Sequence, residues 1–425
     1  MKYSIAQFHN GCLKGMWTFS VRKGLYWGFV IVAFVWISIS VSVAEILVGP
    51  KPQKVEDQFL LNVPGIKVTP WVENLNVPWS LVFLPDGRAM VSERPGRIRI
   101  INNGRLLAKP LPCFNRSGAL QKTLAACLGV QVGGEGGLMG LALHPEFDQR
   151  TPYLYIMHTY KKRGTSRTNR VVRIELRDDG GHFDRVIISG IPGGKYHNGG
   201  RIAFGPDGML YVATGEIFDR KIAQSLNSLG GKLLRVTPDG GIPEDNPITG
   251  SAIYSFGHRN MQGLTWDSST GDLFATEHGP SGEAGLSNYD EVNVITASGN
   301  YGWPLMVGAP KKTGYVDPLL SWPNMTTPPT GLAFWEGDLM VATLGFSAGQ
   351  AQALLRIKLK KNENQWQVKN IERLFVDGEE TSLYGRLRDV VTGPDGALYV
   401  LTSNRDGRGD VRIGDDKILR IESLQ

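Results

Sequence analysis

Cysteine is scarce in this chain, and so is charge of one sign. Three cysteines in 425 residues cannot staple a disulfide scaffold, and no cysteine–histidine cluster is present to hold a transition metal. The formal charge is +6, but Lys2, Lys14, Arg22 and Lys23 stand in the first 44 residues, which contain no acid. The remainder carries 42 basic against 40 acidic residues and no dense Lys/Arg tract, so nothing argues for a nucleic-acid partner. No glycine-rich loop follows a strand and opens a helix, which removes the case for a nucleotide cofactor, and there is no HExxH zinc motif. Glycine, by contrast, is abundant: 53 residues, about one in eight against an average near 7%. Many tight turns are expected, and a helical bundle is excluded.

Gly24–Ala44 is an apolar run without a charge, preceded by Arg22-Lys23 and followed by Glu45. It reads as an export signal cleaved after the small-x-small Ser42-Val43-Ala44, or as a single membrane anchor over residues 24–44. Its basic N-terminal flank places the rest of the chain outside the cytoplasm: periplasmic, secreted, or anchored and facing outward. Residues 1–44 are thus a leader. Residues 45–65, with three prolines and no periodicity, read as a linker to a folded body at 66–425. An oxidising compartment permits a bridge between Cys113 and Cys127, worth up to ~3 kcal/mol for such a loop. Two free buried thiols are the alternative.

The body repeats itself. Six segments, at 77–94, 138–158, 200–216, 261–279, 329–345 and 387–404, each read as strand, turn, strand. The turns are rich in Pro, Asp and Gly, and Asp-Gly between alternating apolar runs is a hairpin signal. Equivalent positions are Ala89, Leu154, Leu210, Leu273, Leu339 and Leu398, with steps of 65, 56, 63, 66 and 59 residues. A β repeat of this period builds radial blades, because one small sheet cannot bury both of its faces alone. The fold class is therefore all-β, a six-bladed propeller preceded by a signal or anchor helix. Pairing of residues 417–422 with 67–75 closes the ring. A two-sheet sandwich of over 350 residues would be unusually large.

A propeller's site lies at the channel mouth, on loops that several blades bring together. His197 stands in GGKYHNGGRIAF, between glycine pairs that let backbone approach a ligand, and histidine serves as a general base near neutral pH. A structural hydrogen bond is the plainer role. Arg259-Asn260 holds the equivalent place one blade on, and arginine offers a fixed fork of donors to a carboxylate or a developing oxyanion. An inter-blade salt bridge is the alternative. Around Gly279-Pro280, Glu291 and Tyr301, carboxylates and carbonyl-presenting turns suit calcium, although acidic loops are usually only solvated. Arg386 and Arg388, two apart in extended chain, point the same way and call for an anion, or form a solvated strand edge.

With these residues laid out, the chain resembles the soluble quinoprotein glucose dehydrogenase and aldose sugar dehydrogenase family from about Lys67 to Ile421. The resemblance is carried by PWSLVFLPDGRAMVSERPGRIR, GGEGGLMGLALHPEF, YHNGGRIAFGPDGMLYVATGE, GGKLLRVTPDGGIPEDNP, GHRNMQGL, EHGP, DEVNVITASGNYGWP and RLRDVVTGPDGALYVLT. It implies an exported six-bladed propeller that uses pyrroloquinoline quinone and Ca2+, oxidises an aldose and passes electrons to an external acceptor. It further implies that His197 takes the proton from the anomeric hydroxyl, that Arg259 polarises the quinone and that Asn260 holds the cofactor. Arg386 and Arg388 would pair with cofactor carboxylates. Carbonyls of Gly279 and Pro280 would bind the cofactor's calcium, and Glu291 and Tyr301 match positions of a separate structural calcium.

Two departures stand out. Glu135 replaces a family glutamine in the cofactor pocket, and a family lysine expected after the fifth repeat is absent before Lys358. Both make the pocket less positive. A non-catalytic binding propeller and a calcium-dependent, lactonase-like hydrolase are the competing readings. Neither would reduce a dye when quinone, calcium and an aldose are supplied.

Overall fold

The computed structural model describes residues 46–161, 166–346, 351–363 and 365–424. The leader expected over residues 1–44 lies outside the described residues. Each sequence repeat opens one sheet. The first blade comprises Pro78–Phe83, Ala89–Glu93, Arg97–Asn102 and Arg105–Leu106. The third comprises Gly199–Phe204, Leu210–Thr214, Lys232–Val236 and Ile253–Phe256, and the fourth Met261–Trp266, Leu273–Glu277, Asp290–Ile295 and Leu320–Trp322. The second and fifth, opening at Leu138–Leu143 and Pro329–Trp335, take up extra outer strands. In the sixth, Leu387–Thr392, Leu398–Thr402 and Ile418–Ser423 are joined by Ile66–Val72, which pairs antiparallel with Ile418–Ser423 and closes the ring as expected.

The hairpins form where the sequence places Asp-Gly. Gly87, Gly208 and Gly396 have φ of 86°, 73° and 78°, values a β-carbon disfavours. Alternation along the strands then buries one side chain in two against the neighbouring blade. Met139, Tyr155 and Val171 of the second blade pack with Ile202, Val212 and Leu234 of the third. Each such aliphatic side chain, once fully buried, contributes about 1.5–3 kcal/mol.

The reading of residues 45–65 as a linker is corrected. Glu56–Leu60 is a strand, parallel to Gln365–Leu374 as the outer edge of the fifth blade, and Asp57 Oδ1 accepts from Arg373 Nε at 2.8 Å. Leu47–Val48 pairs with Met306–Val307. These strands are short, two and five residues, and their partners lie 259 and 314 positions further along (Leu47 with Met306, Asp57 with Ile371), so no local pattern betrays them. Cys113 and Cys127 are bridged, tying the outer hairpin of the second blade to the short helix Leu124–Leu128. Thr123 caps that helix, its hydroxyl accepting from Ala126 N–H at 3.0 Å.

One irregularity positions the site. The first strands of adjacent blades contact one another around the ring, so they line its centre. All six lose register near their first residues: at Pro78/Ser80, Leu138/Leu141, Gly199/Ile202, Met261/Gly263, Pro329/Leu332 and Leu387/Asp389. A bulge re-aims side chains. Here it turns Trp79, Gln262 and Arg388 into a common cavity. Deeper in the ring, Arg201 of the third blade joins Asp389 of the sixth at 2.8 Å, Ser80 of the first and the Gln262 carbonyl of the fourth.

Candidate active site

The bulged ends of the inner strands and the loops beside them enclose a cavity of about 460 Å³. His197, Arg259, Glu135, Pro280, Arg386 and Arg388 all line it, so residues more than 250 positions apart converge as the repeat predicts. Asn260, Gly279, Glu291 and Tyr301 are not among its lining residues; the last three line a separate small pocket together with Arg259 and Pro280. Asn260 Oδ1 accepts from Gly199 N–H and Gln262 Nε2, at 3.0 and 3.1 Å, and so fixes the loop that carries His197.

His197 is buried and its backbone is left-handed, φ 54°, an uncommon state for a residue with a β-carbon. Gly199 and Gly200, at φ 64° and 120°, give the loop its turn. Nδ1 meets Glu216 Oε1 at 2.5 Å, and the ring lies on Phe218 with centroids 3.9 Å apart. A proton on Nδ1, held by the carboxylate, leaves the Nε2 lone pair for a ligand. Glu216 escaped the sequence reading. A signal existed: Glu93, Glu216 and Glu277 recur at the ends of second strands, and all three are buried.

Arg259 is held on several sides. Nε and Nη2 donate to Glu283 Oε1 at 2.9 and 2.5 Å, Nη1 donates to the His278 carbonyl at 3.1 Å, and Nη2 reaches Ser281 Oγ at 3.4 Å. The guanidinium also faces Phe218 and Trp303 at 5.9 and 5.6 Å. Glu283, also missed, thereby fixes which edge of the fork stays open. Burial raises the Glu283 carboxyl while Arg259 and the Ser281 N–H lower it further, a net downward shift.

Arg386 and Arg388 share the cavity but not their partners. Arg386 meets Asp406 Oδ2 through Nη2 at 3.0 Å and gives Nη1 to the Leu344 and Gly345 carbonyls. Arg388 gives Nη1 to Gln262 Oε1 at 3.0 Å, and burial pulls its guanidinium down to about 9. Glu135, expected to burden the pocket with negative charge, is instead matched. Oε1 accepts from Arg408 Nη1 and Oε2 from the His197 N–H, both at 3.0 Å. No lysine is among the lining residues.

A planar ligand with several carboxylates fits this lining. Arg94, Arg386, Arg388 and Arg408 surround it, and Arg94 Nε and Arg388 Nε are buried without an acceptor. Calcium is matched only in part. Pro280 and Asp290 are at the cavity edge, and Asp290 accepts from Gly279 N–H at 3.0 Å and Thr327 N–H at 2.7 Å. Among the described residues no group of three His, Cys, Asp or Glu side chains is placed to hold a metal, so oxygens from ligand or water would have to complete a shell of six or more. The Tyr301 hydroxyl already donates to the Val294 carbonyl at 2.7 Å and accepts from Thr296 N–H. Glu291, half-buried beside the buried Glu277 and Asp290, has its carboxyl raised well above the ordinary range by desolvation first and the Glu277 charge second.

A six-bladed ring with a histidine–glutamate pair and arginines at its mouth defines the class, and comparison with known proteins defines the family. Residues 75–419 match the glucose/sorbosone dehydrogenase family, to which the chain therefore belongs. The chain is 31% identical to an aldose sugar dehydrogenase of Escherichia coli, over 79% of this chain and 89% of that protein. The solved structure of a Thermus thermophilus oxidoreductase described as a glucose dehydrogenase is 48% identical, with TM-score 0.73, 84% of this chain and all of that one covered. A quinone-bound (PQQ) aldose sugar dehydrogenase of Streptomyces coelicolor is 37% identical, with TM-score 0.69, 84% and 99% covered. The protein is thus an oxidoreductase of the sugar dehydrogenase type.

Proposed function

We propose that the chain oxidises aldose sugars at the anomeric carbon to lactones, with pyrroloquinoline quinone in the mouth cavity and an external acceptor removing the electrons. The reading rests above all on His197: a buried imidazole whose Nδ1 is committed to Glu216 and whose Nε2 is left to a cavity lined by guanidinium groups. When bound, the quinone supplies a two-electron acceptor for the hydrogen on the anomeric carbon. His197 Nε2 takes the hydroxyl proton, and Glu216 steadies the imidazolium that results. Arg386 and Arg388 hold cofactor carboxylates through charge-assisted bonds. Arg259, its fork fixed by Glu283, turns its remaining Nη1 donor to the carbonyl where negative charge develops. Asn260 holds the His197 loop against the same region. Carbonyls of Gly279 and Pro280 would hold the calcium beside the cofactor, and Glu291 with the Tyr301 backbone carbonyl would hold a separate structural calcium, because the Tyr301 hydroxyl is committed to the Val294 carbonyl. The work is done outside the cytoplasm, with residues 24–44 as signal or anchor.

The test is reconstitution. Purified apoprotein given quinone and calcium reduces a dye when an aldose is added. If no dye is reduced with any of a panel of aldoses although the quinone binds, the oxidative reading fails and a binding or hydrolytic propeller takes its place. Calcium should also raise the melting temperature, since an ion that binds the folded state stabilises it by mass action. A melting temperature unmoved by calcium or chelator removes the metal assignments.

A further inference from the structure

The guanidinium groups around the cavity differ in how they are answered. Arg259 has Glu283, Arg386 has Asp406 and Arg408 has Glu135. Arg94 and Arg388 have no carboxylate oxygen within 4 Å among the described residues, and each keeps a buried Nε–H without an acceptor. Arg388 at least meets Gln262 at 3.0 Å. Arg94, at the turn after the second strand of the first blade, makes one long contact, Nη2 to the Asp406 carbonyl at 3.4 Å. Burial pulls the Arg94 guanidinium below its ordinary range, opposed by Asp406 and Glu135 and reinforced by Arg408 and Arg386. An under-hydrated cation with an idle donor is costly unless something supplies an oxyanion. Neighbouring protein groups do not, and the open side of Arg94 is the cavity.

We infer that Arg94 is a ligand-binding residue: a third guanidinium, beside Arg386 and Arg388, that takes a carboxylate of the quinone on the side that faces the cavity. This rests on the quinone reading above. It also accounts for a lining without lysine, because the first blade supplies the cation that the fifth does not.

The experiment is a titration of apoprotein with pyrroloquinoline quinone at fixed calcium and salt, read by calorimetry and by the ligand-induced melting shift. Arg94→Gln should bind at least about tenfold more weakly, the loss of one charge-assisted bond. Arg94→Lys, keeping charge but not the fork, should fall between. The Arg94→Gln apoprotein should melt no lower than wild type, since an uncompensated charge has been removed. Arg88→Gln, on an exposed hairpin turn, should bind as wild type does. If Arg94→Gln binds as tightly as wild type, the assignment is overturned while the quinone reading stands. If wild type itself binds no quinone, both fall. Should Arg94→Gln fail to fold, Arg94→Lys decides: unchanged affinity refutes the assignment.

Discussion

His197 and His258 repeat one arrangement a blade apart. Each precedes an inner strand, and each sets Nδ1 against a buried glutamate nineteen residues further on, Glu216 and Glu277. Their second nitrogens meet different things. His258 Nε2 is bonded to Ser255 Oγ at 2.8 Å, the ring is stacked on Tyr301 with centroids 4.6 Å apart, and the residue is fully buried. His197 sits in a left-handed turn and leaves Nε2 to the cavity. One pair is closed on itself and works as a strut between strands. The other is held on one side only, and that open side is what chemistry requires. Residue type and spacing are the same in both, so the partner of the second nitrogen decides which histidine can act as a base.

The comparison can be broken from the strut's side. His258→Ala leaves Glu277 buried with its imidazole partner gone and should cost about 3 kcal/mol or more, measured by denaturant unfolding. Turnover per folded molecule should fall less than tenfold, and a larger fall at unchanged stability would contradict the strut.

A third buried histidine sharpens the point through pH. His158 lies inside the second blade, with Nε2 accepting from Arg170 Nε at 3.1 Å and Nδ1 against the Thr159 carbonyl. Burial first and Arg170 second hold it down at about 3, against 6.5 when unfolded. The unfolded chain therefore binds the proton more readily, so the stability contributed is complete above pH 6.5 and is lost as pH falls toward 3. Between pH 7 and 4.5 the loss should be about 2–3 kcal/mol, and His158→Gln should flatten that part of the stability–pH curve. An unaltered slope would show that other groups carry it.

Smaller effects separate the two pairs further. Glu216→Gln removes the charge behind His197 while keeping its shape, and turnover should drop about tenfold or more at unchanged quinone affinity, as one charge-assisted bond becomes neutral. Ser255→Ala, which deprives His258 Nε2 of its partner, should cost about 1 kcal/mol of stability and leave turnover as it is.

The sequence is informative wherever the signal is local. Asp86-Gly87, Asp207-Gly208 and Asp395-Gly396 announce hairpins, and their spacing announces a ring, because a turn is decided by a few adjacent residues. His197, Arg259, Arg386 and Arg388 were legible as loop or strand-start residues rich in chemistry. Glu216 and Glu283 were not, since each matters only through the side chain it meets. The strand Glu56–Leu60 was not legible because its partner is remote. Nor were the six register shifts at the starts of the inner strands. They turn Gln262 and Arg388 inward where a regular strand gives no reason to expect it.

The central claim is that His197, open at Nε2, is the base of a sugar oxidation. It is tested most directly by single-turnover reduction of bound quinone in His197→Ala and wild type, each first shown by titration to be fully loaded. The account predicts equal loading, reduction by an aldose in wild type, and a rate at least about 100-fold lower in the variant. Equal rates in the two loaded proteins would contradict it.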